Sequence, residues 1–188
     1  EKILRELFAK RPDDQQARLA LAEQLSVDPK KIPEAVAILD KPFAQGSFIG
    51  SKAITVRELQ VRTLVAAADL RMRMFQDSKV PADRDALLKK IKDEVEQVDG
   101  KEHDSLRVLM LRGKLQLLQD DVLHASPTLE RALSMTGKDT DSVTGGGIVH
   151  WQIVDLLARA YIKTGQTGRA KDLLTDLVNR FPTTDTDQ

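Results

Sequence analysis

The 188-residue chain has no cysteine and a single asparagine, and only 4% of its residues are aromatic. Without cysteine there are no disulfide frameworks, no thiolate zinc sites and no cysteine nucleophile. An excess of charge is missing too: 29 Lys and Arg stand against 29 Asp and Glu, with a pI near 7.1. That balance removes the basic footprint of a nucleic-acid binder and the acidic excess of a solvating tail. No apolar run approaches the ~18 residues that a bilayer-spanning helix needs, and the N-terminus is not signal-like. The expectation is a soluble chain without membrane insertion, and its residues set no compartment. What is present is 41% hydrophobic, enough for a packed core in one domain or one repeat array. The chain opens Glu1-Lys2-Ile3 without a methionine, which reads as a piece of a longer chain.

Proline and glycine act as punctuation, because both collect where helices stop. They fall at Pro12, Pro29 and Pro33, from Pro42 to Gly50, at Pro81, at Gly100, from Gly137 to Gly147, at Gly165 to Gly168 and at Pro182. Between them apolar residues recur at three and four. Leu19, Ala22 and Leu25 make one such face, Val61, Leu64, Ala68, Met72 and Phe75 another, and Leu87, Leu88, Ile91, Val95 and Val98 a third. A sustained period of two is almost nowhere present. The pattern predicts an all-α chain of roughly eight or nine helices, most of the usual ~10–14 residues and a longer one around 51–77.

The last stretch decides between a bundle and a solenoid. Val154-x2-Leu157-Ala158-x2-Tyr161, then Gly165, Ala170, Leu174, Leu177 and Pro182, resembles the tetratricopeptide repeat of 34 residues. Val154, Leu157 and Tyr161 put bulk on one stripe of a first helix, and small Ala158 and Ala170 let a second helix approach closely. Gly165 suits a positive φ at the end of the first helix, and Leu174 and Leu177 would fill the space toward a following repeat. Gly113, Ala125, Leu129 and Ala132 repeat the pattern less faithfully, with Arg112 and Gln116 where Leu and Tyr are usual. Ala125 and Ala170 are 45 residues apart, so about 11 residues, Gly137 to Gly147, read as an insertion. The resemblance implies a single domain over 1–188, a right-handed superhelical solenoid of antiparallel helix pairs. Residues 1–12 would be the second helix of a truncated repeat, 13–42 a repeat, 51–99 a long divergent helix pair, 106–136 a repeat, 137–147 an inserted loop and 148–184 the last repeat.

Motifs for catalysis fail on their details. His103, His124 and His150 read as isolated surface or boundary residues. Gly46-Ser47-Phe48-Ile49-Gly50 misplaces the glycines of a nucleophile elbow, and no strand precedes it. Thr136-Gly137-Lys138-Asp139 lacks the first glycine of a phosphate loop, and Asp139-x-Asp141 has Val143 where a calcium loop needs oxygen. Nothing here points to an enzyme, a cofactor or a metal. Gly145-Gly146-Gly147 reads as the re-entry of the insertion into the helix stack, and Trp151 as a residue closing the gap between adjacent repeats or, if exposed, as part of a contact surface.

The resemblance also implies a concave groove lined by first helices, where the family binds peptides or proteins. The corresponding positions are Gln152, Asp155 and Arg159; Arg107, Met110 and Lys114; and Gln16, Leu19 and Glu23. The family's clamp for a C-terminal carboxylate needs Lys and Asn on first helices, and Asn179 falls on a second helix, so that clamp is not expected. The charges alternate along helix faces, which favours solubility without a charged groove. Phe43, Phe48 and Ile49 put apolar area into the 41–51 connection, a fold-back or a contact site. The leading expectation is a non-catalytic protein-interaction module. The alternatives are a spacer or oligomerisation segment, including a homodimer through uncapped solenoid ends, or a regulatory arm of an enzyme outside these residues.

Overall fold

In a computed structural model, which describes residues 1–12, 14–42, 56–136 and 146–180, every regular element is helical. Among the described residues there are nine α-helices and no strand. They fall into two compact units, 1–103 and 104–188.

The first unit begins with α1 (Lys2–Lys10), α2 (Gln15–Leu25), a 3-10 turn (Pro29–Lys31) and α3 (Ile32–Leu39). Two long helices follow, α4 (Val56–Asp77) and α5 (Pro81–Lys101). Local chemistry sets the starts. The Asp14 carboxylate accepts from Gln16 N and Ala17 N, both at 3.0 Å, and Asp28 accepts from Lys30 N, filling donors that a first turn leaves unpaired. Pro29, Pro33 and Pro81 sit in first turns, where a missing N–H is harmless. Proline therefore opens helices here as well as ending them. Gly100 does not end a helix either, since α5 continues through it to Lys101.

Each helix of this unit packs on its chain neighbour, and α2 also reaches α4. Leu21, Leu25, Ile32, Ala35, Leu39, Leu59 and Ala67 form the core of α2, α3 and α4, with Leu4 and Phe8 of α1 packed against it. The unit buries charges that the sequence pattern assigned to solvent. Arg18, 1% exposed, donates to the carbonyls of Lys41 and Pro42 just beyond α3. Arg71 of α4, 2% exposed, donates to Glu94 of α5 and to Asp40 at the end of α3. One guanidinium thus ties three helices together.

The second unit contains α6 (Leu106–Leu118), α7 (Val122–Met135), α8 (Gly146–Lys163) and α9 (Thr167–Arg180). Here α6 pairs with α7 and α8 with α9, while α8 also packs on α7 and α6. The two pairs turn in the same way. Gln166 N donates to Tyr161 O at 2.8 Å and Gly165 N to Ile162 O; 45 residues earlier, Asp121 N donates to Gln116 O at 2.8 Å and Asp120 N to Leu117 O. Both are 6→1 and 5→2 bonds around a left-handed residue, with φ +74° at Gly165 and +62° at Asp120. Aspartate tolerates that conformation better than most side chains. The pairing Ala125 to Ala170 read from the sequence thus recurs in backbone geometry.

The small residues sit at close approaches. Ala158, Ala170 and Ala125 are buried, and a Cβ built on Gly113 would stand 2.4 Å from Leu129 Cδ2. Leu177 is buried, but Leu174 is 41% exposed, so it fills no gap among the described residues. Pro127 lies inside α7, and α8 starts at Gly146, two residues before the expected 148. Phe43, Phe48 and Ile49 of the 41–51 connection, the motif residues within 137–145 and Pro182 lie outside the described residues. No helix among the described residues is long and apolar enough to cross a membrane.

Candidate functional site

The expected partner-facing positions are distributed over both units. Gln16 and Glu23 are exposed on α2 of the first unit, whereas Leu19 between them is 4% exposed and part of its core. Leu19 is therefore a packing residue, because α3 and α4 cover its side of α2. The other six positions share the second unit. Arg107, Met110 and Lys114 on α6 and Gln152, Asp155 and Arg159 on α8 stand on two helices that pack directly on each other. Arg107, Gln152 and Arg159 are exposed, Lys114 and Asp155 half-buried. Met110 leans against Leu109, Ala132 and Ile153.

Trp151 is 56% exposed, so it closes no gap between helix pairs. With Asp155, Arg159 and Ile162 it follows helical spacing of four, four and three, which places all of them on one face of α8. Ile162 is 55% exposed, and Arg159 holds Asp155 at 2.9 Å. This face offers an aromatic at one end, an aliphatic at the other and an ion pair between.

A second feature lies on a different face of α8. His150, Val154, Leu157 and Tyr161 form the wall of a cavity of about 490 Å³, completed by residues of α7 and α9. Tyr161 donates its hydroxyl proton to Glu130 Oε1 at 2.6 Å. Burial, and then that carboxylate, push the Tyr161 phenol up to about 12. The Arg169 guanidinium lies 5.4 Å from the Tyr161 ring centroid and 3.8 Å from Glu130. Thr136 donates to Leu133 O at 2.7 Å, and its Oγ1 is 2.9 Å from His150 Nδ1.

The histidines are less isolated than expected. His103 lies 3.3 Å from Asp99 and His124 lies 2.8 Å from Asp121, each an exposed imidazole with a carboxylate one turn earlier. His150 is only 6% exposed. Among the described residues no group of three His, Asp or Glu side chains is placed to hold a metal ion. The spacing 154, 157 and 161 was legible as a packing stripe, but His150 was not read as part of it, and the polar contacts at both ends require α7 alongside, which the sequence does not supply. No family model, no curated protein and no solved structure matches this chain.

Proposed function

We propose that the chain is a non-catalytic protein-interaction module of the tetratricopeptide-like helical-repeat type, and that its partner docks on the outward face of α8 with adjoining α6. The exposed pair Trp151 and Ile162, bracketing Asp155 and Arg159, carries this reading. Tryptophan and arginine are the residues most often found where a few contacts dominate binding energy, and a ring left 56% exposed loses water only when something covers it. Arg107 and Lys114 add a basic contribution from α6, which suits a partner with acidic and apolar residues in alternation. The repeated turn geometry of α6–α7 and α8–α9 supports the helical-repeat assignment within this unit.

The test is affinity capture with the 188-residue chain as bait, identification of what is retained, and repetition with Trp151→Ala and Arg159→Glu. A partner bound by the parent and weakened at least tenfold by either substitution supports the face. Retention of every partner by both variants removes it.

A second reading, self-association, is favoured by one observation. Leu174 and Val178 of α9 share a face and are 41% and 64% exposed. Light scattering separates the two readings: a concentration-dependent dimer abolished by Val178→Lys but not by Trp151→Ala would establish α9 as the contact.

A further inference from the structure

We infer that the outward stripe of α8 pairs with the same stripe on a second copy of this chain, the two helices running antiparallel about a two-fold axis at the level of Leu157. This names the partner of the face proposed above, and rests on that reading. The order of residues along the stripe carries it. In a two-fold contact a patch meets itself reversed, so each group must find its complement at the position related by the axis. From Trp151 the stripe runs aromatic, acid, base, aliphatic; from Ile162 it runs aliphatic, base, acid, aromatic. Laid antiparallel, Asp155 meets the partner's Arg159 and Arg159 meets the partner's Asp155, while Trp151 packs on the partner's Ile162 at each end. The registers agree. Asp155 and Arg159 centre on residue 157, and Trp151 and Ile162 half a residue before it, an offset below about 1 Å at ~1.5 Å of rise per residue. One axis therefore serves all four.

The physical chemistry favours the exchange. Within one chain Arg159 and Asp155 are paired one turn apart, with side chains 67% and 36% exposed, a setting in which an ion pair contributes little. Between two copies the same four charges form one network, capped at both ends by apolar side chains that keep water away and so strengthen its hydrogen bonds. Trp151 and Ile162, each more than half exposed, cover one another in the same step. Lys163 at the edge of the stripe is held by Asp120 at 2.5 Å, so its charge does not oppose the approach. The formal net charge of the chain is zero, and two copies meet without long-range repulsion. A single helical stripe buries less than a standard interface, which makes the expected dimer a weak one.

The experiment is sedimentation velocity of the 188-residue chain from micromolar to millimolar concentration, with the emission of Trp151 followed in parallel. The expected result is a monomer–dimer equilibrium and a blue shift that grows with concentration, because the sole tryptophan becomes covered. Asp155→Arg leaves the stripe with two bases and Arg159→Asp with two acids, so each variant alone should dimerise at least tenfold more weakly, with unchanged far-ultraviolet circular dichroism. An equimolar mixture of the two should dimerise again, since every base then faces an acid. Val178→Lys on α9 should leave the dimer as it is. A parent that stays monomeric at millimolar concentration overturns the proposal, and the docking face of α8 survives that result if Trp151→Ala still releases a captured partner. A dimer that both charge variants leave intact, a mixture that does not recover, or a dimer lost on Val178→Lys overturns it as well.

Discussion

Replacing Gly113 by alanine tests whether the approach of α6 to α7 is as close as the structure has it. The added methyl would stand 2.4 Å from Leu129 Cδ2 and 2.6 Å from Cγ, where real side chains keep at least 3.0 Å. Cγ is not the free end of the leucine, so the whole side chain must retreat. Leu129 is fully buried in a cluster with Leu157, Ala158, Tyr161 and Ala170, which leaves it no open direction. Overpacking of this kind costs about 1–3 kcal/mol. Against that, alanine in a helix interior is favoured over glycine by about 1 kcal/mol. The expected net result is a loss of up to about 2 kcal/mol, the difference of these two effects. Trp151, the chain's sole tryptophan, belongs to the same unit, so urea unfolding followed by its emission reports on the affected helices. Leu129→Ala should cost about 2–5 kcal/mol alone, and in that background Gly113→Ala should become stabilising by about 1 kcal/mol, because the obstruction is gone. Refutation is equally clear: a Gly113→Ala chain more stable than its parent, or no reversal of sign in the double variant, would mean that the helices are not in contact here.

Two further outcomes concern buried charge and turn geometry. Burial pushes the Glu94 carboxyl up to about 7 from 4.5, against the opposing pull of Arg71, and its second oxygen is buried with no hydrogen-bond partner among the described residues. A carboxyl that holds its proton more tightly when folded adds stability below the unfolded value, and this is lost as pH rises through the folded one. Unfolding by urea, followed by circular dichroism, should therefore become easier between about pH 5 and pH 8 by up to about 3 kcal/mol, and Glu94→Gln should flatten that dependence; an unchanged slope in the variant would exclude Glu94 as its source. Gly165→Ala should destabilise the second unit by about 1–2 kcal/mol, since a side chain at φ +74° meets its own carbonyl. Gly168→Ala, where nothing lies within 4 Å, should be neutral or stabilising by up to about 1 kcal/mol; equal thermal melts for the two would contradict the left-handed assignment.

Much of the candidate site was written in the spacing of α8, and some of it was misread there. The stripe Val154, Leu157 and Tyr161 reads as packing and is buried, whereas His150, read as a surface or boundary residue, is buried beside it. Tyr161 also donates to Glu130, 31 residues away on α7, and no periodicity within α8 announces such a contact. Trp151 illustrates the opposite error. A lone tryptophan one turn before a packing stripe suggests burial, yet it is rotated about 100° from His150 on the helix and faces outward. Leu19 stands at a position that sequence register makes reachable, and two neighbouring helices cover it.

What the sequence determined by itself is local. Recurrence at three and four made the chain helical, Asp14, Asp28 and Ser105 cap its helices through bonds spanning two or three residues, and Gly165 set a turn through its own φ. Each depends on neighbours in the chain, so each is legible without the fold. Tertiary structure alone decided the fate of the charges. In a chain with equal numbers of both signs, Arg18, Arg71 and Glu94 look like any others on a solvated face, and they are buried because other helices close over them and supply carbonyls or a counter-charge. The cavity between α7, α8 and α9 has the same origin, since its lining gathers from helices far apart in sequence. The physical reason is that a desolvated charge is tolerated only where a partner is brought to it, and distant partners meet only in the folded chain.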